Sequence, residues 1–356
     1  MSVLTDRITR QTPAARDRGV DALRALAIVG VVLGHWLVTA WEPGPWISSP
    51  LAHQPGLAPL SWVLQTLAVF FLVGGFAAAR GLREPYGDWV RGRMRRLLLP
   101  AAGLLAFWAV LAVALLVVRR MSVPGVRALA LPAVGPLWFL AVFALLTALT
   151  PLLVRLRYGV PLMLAVVAAA DVGRFALGAP GWTTWVTTVA GWLVPYLLGM
   201  AWARGRVSRR HGVLMLAGGA AATAVLVGAL GYPASMVGVT GQAVSNLSPP
   251  TLAAVTFGLA QCGLAVLVRE PLARLMRHPP LWAAVALTNL AAMRIFLWHQ
   301  TALVLVVVTF GLFARPDRIE WIWNRLAWLP VAALTLAAIL WGLGSATRRI
   351  RRPRRP

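Results

Sequence analysis

Asp21, Arg24 and His35 stand in one apolar stretch, VDALRALAIVGVVLGHWLVTAW at 20–41. A helix turns about 100° per residue, so the eleven residues from Arg24 to His35 make three turns plus roughly 20°. The two side chains therefore share a face, separated by about 16 Å along the axis. Arg presents a planar fork of donors that matches phosphate oxygens. His exchanges a proton near neutral pH. On one stripe they suit a reaction in which a phosphate-bearing donor docks at the Arg and a reactive arm reaches inward to the His. Asp21, three residues before Arg24, can pair with it. Two blander readings stand beside these: an Arg snorkelling to headgroups at the inner edge of a span, and a packing histidine bonded to a neighbouring helix.

The elements that must hold these residues are membrane helices. Hydrophobic residues make up 59% of the 356 and charged residues 12%, about half the usual share in a soluble domain. The mean hydropathy is +0.75. Stretches of about 20 apolar residues, each enough to span a bilayer, fall near 20–41, 60–80, 97–118, 136–154, 158–177, 183–203, 212–231, 251–268, 290–313 and 327–346. The expected fold is all-α and polytopic, with about ten transmembrane helices and both termini cytoplasmic. A cytoplasmic arm at 1–19 precedes a membrane domain at 20–346 and a basic cytoplasmic tail at 347–356. The N-terminus has no signal-peptide pattern, so the first helix is expected to stay as a signal anchor in the cell membrane. The run 281–313 is too long for one span, and its first part, LWAAVALTN, is expected to lie in the interface or to form a broken helix.

Charge sets the orientation. All 34 basic residues are Arg. In this layout 25 of them lie on the side of the termini and 7 on the opposite side, while Arg24 and Arg294 lie in or at the edge of spans. That is the positive-inside pattern of an even number of spans. The Arg residues sit in short runs between apolar stretches and form no basic soluble domain. This argues against nucleic acid and for topogenic charge and contact with anionic lipid headgroups. The single cysteine, Cys262, lies in an apolar run and reads as a packing residue. The ten acidic residues leave little for a carboxylate metal site, and no metal is expected. There is no G-x-S-x-G elbow, P-loop or dinucleotide fingerprint.

The stretch D-A-L-R-A-L-A at 21–27, followed by His35, resembles the opening signature of the acyltransferase-3 family of integral membrane acyltransferases. The likeness continues in order with FFLVGGF at 70–76, WVRGRMRRLLLP at 89–100, GPLWFLAVF at 135–143 and RIFLWHQ at 294–300. The resemblance implies transfer of an acyl group, often acetyl, from cytoplasmic acyl-CoA to a hydroxyl of an extracytoplasmic or membrane-proximal glycan, or of a small secondary metabolite. It implies that His35 is catalytic, that Arg24 belongs to the donor site, and that Arg93 and Arg96 bind the CoA phosphates; their alternative is plain topogenic charge. Asp21, Trp138 and His299 are expected to help shape the site. Trp138 otherwise reads as a belt tryptophan at the outer end of the fourth span, and His299 as lying about eight residues from the inner edge of the ninth. Gly74 stands where the family's second-span motif usually has Ser. No esterase-like domain follows, so the chain is expected to be the membrane module alone. From another class, a transporter or flippase for a glycolipid or anionic solute would also place Arg and His inside a bundle, but no internal repeat is evident.

The Arg distribution makes an orientation testable. A cysteine introduced into the tail at 345–356 should stay sealed from a membrane-impermeant thiol reagent in intact cells and react only after permeabilisation. Labelling of intact cells would overturn the even-span layout.

Overall fold

The computed structural model describes residues 2–351 apart from positions 14, 45, 119, 157 and 158. The last part of the basic tail, 352–356, and Arg119 and Arg157 lie outside the described residues. The chain begins with α1 (Ser2–Arg10) and α2 (Arg18–Val38). A short hairpin, β1 (Ala40–Glu42) and β2 (Trp46–Ser48), leads to α3 (Pro50–His53), α4 (Ala58–Leu64), α5 (Leu67–Gly81) and α6 (Tyr86–Val117). Then follow α7 (Val123–Val134), α8 (Leu137–Leu153), α9 (Gly159–Ala176), α10 (Val186–Ala203), α11 (Arg209–Gly228), α12 (Leu252–Leu275), α13 (Pro279–Phe310) and α14 (Ile319–Arg351). Among the described residues ten helical segments are long and apolar enough to cross a membrane. The protein is therefore a multi-pass membrane protein.

Local chemistry sets the helix ends. The Asp17 carboxylate caps α2 by accepting from the Val20 amide at 3.1 Å. It also holds Arg269 of α12 at 2.6 Å, which ties the start of the first span to the end of the eighth. Two prolines open α13, where a missing N–H costs nothing, and Gly311 closes it in the left-handed conformation at φ 63°. Nothing between them breaks the helix. The stretch 281–313, whose first part was expected to lie in the interface or to form a broken helix, is continuous: Pro279–Phe310 is one 32-residue helix of about 48 Å, longer than the hydrocarbon layer is thick.

Two other spans are interrupted instead. The second breaks at Gln65 and Thr66, between α4 and α5. There the Thr66 hydroxyl donates to the Ala27 carbonyl at 2.8 Å. The fourth is built from α7 and α8, with Gly135 and Pro136 between them. α7 occupies chain that the expected span at 136–154 left outside, and its Ala128 carbonyl accepts from the buried Trp41 indole at 2.9 Å.

α10 is the most enclosed of the ten segments, and α6, α9 and α14 lie at the periphery. At the centre α5 crosses α10 at backbone contact. A Cβ on Gly75 would meet the Tyr196 carbonyl, and one on Gly199 would meet the Leu72 carbonyl, so glycine is what permits this approach. Apolar side chains on the rim face outward: Val110 and Leu334 are each 71% exposed, as lipid-facing residues should be. The hydrogen bonds Asn289 to the Asp21 carbonyl (2.8 Å) and Trp36 to the His299 carbonyl (2.9 Å) rise together along α2 and α13, so these helices run parallel. One end of the bundle carries the starts of α2, α6 and α13 and most of the Arg-rich connections. It is called the basic end below, and the opposite one the far end.

Candidate functional site: two cavities on either side of a histidine pair

A cavity of about 310 Å³ opens between α2, α5, α6, α8 and α13. Arg24 reaches it from α2, and Arg93 and Arg96 reach it from one face of α6. Arg93 lies over the Trp89 ring at 5.2 Å, which fixes its plane. Among the described residues none of the three guanidinium groups has a carboxylate partner. The pairing expected between Asp21 and Arg24 is not made. Asp21 turns to Arg16, upstream of the helix cap, with contacts of 2.5 and 3.2 Å. Three cations thus converge on one cavity without a neutralising carboxylate. Deeper in, the walls become apolar and aromatic, with Phe70, Val73, Phe139, Phe143 and Phe296.

His299 lies twenty residues along α13, which starts at Pro279. It is fully buried and within 3.0 Å of His35, Nε2 to Nδ1. The hydrogen-bond network assigns both tautomers. His299 Nδ1 lies 2.7 Å from the Phe296 carbonyl, which can only accept, so Nδ1 carries the proton. His299 Nε2 is then an acceptor, and His35 Nδ1 must donate to it. This leaves the lone pair of His35 on Nε2, unused within the pair.

A second cavity, of about 370 Å³, lies at the far end. His35 lines it together with Trp138, Thr39, Ser48, Ser49 and Gln300, and its lining holds no Asp, Glu, Lys or Arg. Three helices each supply both cavities: α2 gives Arg24 to one and His35 to the other, α8 gives Phe139 and Trp138, and α13 gives Phe296 and Gln300. Phe139 and Phe296, with ring centroids 5.4 Å apart, line the first cavity, and the histidine pair follows one turn further along α13, where His35 lines the second; these four side chains are called the partition below.

The structure thus brings Arg24, Arg93 and Arg96 to one cavity and His35, His299 and Trp138 to the far-end side of the partition. Asp21 joins neither group. The sequence reading missed Gln300, Phe296, Phe139 and Phe143. Gln300 had a usable signal, an amide inside an apolar run next to a histidine; the phenylalanines had none, being ordinary residues of apolar helices. Gly74 also lines the first cavity, and a Cβ there would meet the Phe143 ring. Glycine at this position and phenylalanine at 143 therefore fill one space between them. Among the described residues no three His, Cys, Asp or Glu side chains converge as a metal site would require.

A bundle of ten apolar segments with an unpaired arginine trio on one side of a histidine and an uncharged cavity on the other is built for chemistry inside a membrane. The chain belongs to the acyltransferase-3 family, whose acyltransferase-domain model matches residues 17–345. It is accordingly a membrane acyltransferase, and that membership sets aside the transporter or flippase. No curated protein and no solved structure matches the chain.

The shared space at Gly74 and Phe143 predicts a coupling. Gly74→Ser should lower thermal stability in detergent at a cost of about 1–3 kcal/mol, the usual scale of overpacking. Combined with Phe143→Leu, the two changes should cost less than their sum by about 0.5–3 kcal/mol. Strict additivity in a thermal-shift double-mutant cycle would show that position 74 is free of the ring.

Proposed function

We propose that the enzyme transfers an acyl group, acetyl as the expected case, from cytoplasmic acyl-CoA to a hydroxyl of a glycan or small metabolite that enters from the far end. The observation that carries this reading is the pairing of an unneutralised arginine trio with a histidine lone pair across a thin aromatic partition. The basic end faces the cytoplasm, in keeping with the excess of Arg there. CoA phosphates dock on Arg24, Arg93 and Arg96. The acyl-bearing arm follows the apolar wall towards Phe139 and Phe296, which must give way for the thioester to meet the acceptor. The Arg-rich connections bind lipid headgroups around the mouth.

His35 acts as general base. Its Nε2 takes the proton of the acceptor hydroxyl as the oxygen attacks the thioester carbon. A C–O bond forms, the C–S bond breaks, and the proton passes to the departing CoA sulfur. His299 is a positioning residue: by accepting from Nδ1 it keeps the base lone pair on Nε2, facing the acceptor side. Trp138 supplies a flat apolar surface beside the reacting hydroxyl. Asp21, paired with Arg16, anchors the segment that leads into α2.

Donor binding is tested by removing the arginine pair. Arg93→Ala with Arg96→Ala should weaken acetyl-CoA binding to the detergent-solubilised protein by tenfold or more, the effect of losing about 1–3 kcal/mol of charge-assisted contact. Unchanged affinity in the folded double variant would return both residues to topogenic charge.

The base assignment is tested at the histidines. His35→Gln keeps hydrogen bonding but cannot exchange a proton near neutral pH, so it should lose at least a hundredfold in transfer, as His35→Ala does, with donor binding retained. His299→Gln, whose amide oxygen can still accept from His35 Nδ1, should keep more activity than His299→Ala. Near-normal turnover by His35→Gln would make the residue a structural hydrogen-bonder.

A further inference from the structure

Among the polar side chains of the far-end cavity that the proposed reaction has not used, Gln300 stands out. Gln300 sits one residue after His299 on α13, is 2% exposed and lines the cavity beside His35. Its amide nitrogen makes one contact, with Thr39 Oγ1, at 3.3 Å, the weak end of the hydrogen-bond range. Its carbonyl oxygen is buried and has no partner. A buried amide left half-satisfied is costly, and persists where something else satisfies it. Packing does not explain the choice of residue: Leu297, Leu303 and Val304 fill comparable space on the same helix without a polar group. Thr39 is itself held from behind, because Arg325 donates to its carbonyl at 3.2 Å, so the contact that places the Gln300 amide rests on a fixed support.

We propose that Gln300 positions the acceptor: its side-chain amide holds the incoming hydroxyl-bearing group in the far-end cavity so that the reacting hydroxyl meets Nε2 of His35. This rests on the acyl-CoA reading above. The unpaired carbonyl accepts a hydroxyl proton and the second amide hydrogen donates to a hydroxyl oxygen, so the amide matches an uncharged group carrying more than one hydroxyl. The rest of the lining agrees with that chemistry. Ser48, Ser49, Thr39 and Thr240 offer hydroxyl partners, Trp138 offers a flat face, and no charged side chain is present to recognise an anionic acceptor. Gln300 forms no bond to the acyl group. Its effect is geometric, through the angle at which the hydroxyl oxygen approaches the thioester while its proton points at His35.

The test separates transfer from loss of the thioester to water. Purified full-length protein is given [14C]acetyl-CoA together with membranes and spent medium of a strain lacking the gene as the acceptor pool. Acylated product and total thiol released are both measured. Gln300→Met keeps side-chain volume and removes the amide, and acetyl-CoA binding in the same preparation reports whether the variant is folded. The expected result is a drop of at least tenfold in product formed per thioester consumed, with donor affinity unchanged and with partial recovery in Gln300→Glu, which restores an oxygen at the same reach. Product and thiol release falling in parallel, or an unchanged ratio, overturns the positioning role while leaving the acyl-CoA reading standing. Failure of the unaltered protein to bind acetyl-CoA or to label any acceptor overturns the acyl-CoA reading and this inference with it.

Discussion

The hydrogen bond between His35 and His299 is the contact on which the site depends. Two imidazoles buried between apolar helices are unfavourable unless each finds a partner, and here each satisfies the other at 3.0 Å. The Phe296 carbonyl, one turn back on α13, sets the direction of the chain of donors. Only one ring nitrogen is left with a free lone pair, and it belongs to the ring that lines a cavity. The same contact fixes the register of α2 on α13, with Trp36 bonded to the His299 carbonyl beside it and Asn289 bonded to the Asp21 carbonyl nearer the basic end. Sliding one helix by a turn would break all three bonds and leave buried polar groups without partners.

From that register the two-sided arrangement follows. Successive helical residues point about 100° apart, so Trp138 and Phe139 at the start of α8 face different cavities. On α13 Phe296 and Gln300 are four residues apart, so they share a face and line the two cavities about 6 Å apart along the axis. A phosphate-bearing group cannot enter the apolar interior without a large desolvation penalty. The three arginines of the first cavity stand at the basic end, and apart from Thr147 the other side chains lining it are apolar. The far-end cavity mixes apolar side chains with Thr39, Ser48, Ser49, Thr240 and Gln300, and among the described residues no Asp, Glu, Lys or Arg lines it.

What could be read from the sequence was whatever one helix fixes by itself. The Arg24 and His35 stripe needs only helical periodicity, and α2 is unbroken between them. Arg93 and Arg96 share a face of α6 for the same reason. The spans were legible because burial in lipid demands long apolar runs. The misreadings were all tertiary. Asp21 chose Arg16 over Arg24 because the arm before α2 folds back on it, which no helical spacing predicts. LWAAVALTN carries no glycine or proline, and its small residues pack against neighbours. Ala286 is buried in a cluster with Ala22, Met276 and Trp282, and the helix is whole where a break or an interfacial segment had been expected.

The one departure from the family pattern is also a matter of shape. With no Cβ at position 74, the Phe143 ring presses against the α5 backbone. It packs edge-on against Phe70, with centroids 5.4 Å apart, and continues towards Phe139 at 6.2 Å. A hydroxyl-bearing side chain in that position would exchange an aromatic wall for a polar notch halfway between the arginines and the histidines. Gly74 therefore removes a hydroxyl and extends the apolar lining in the same step. The chemistry must then be carried by groups elsewhere along the path. The imidazole pair stands beyond the partition, and the guanidinium groups stand at the mouth.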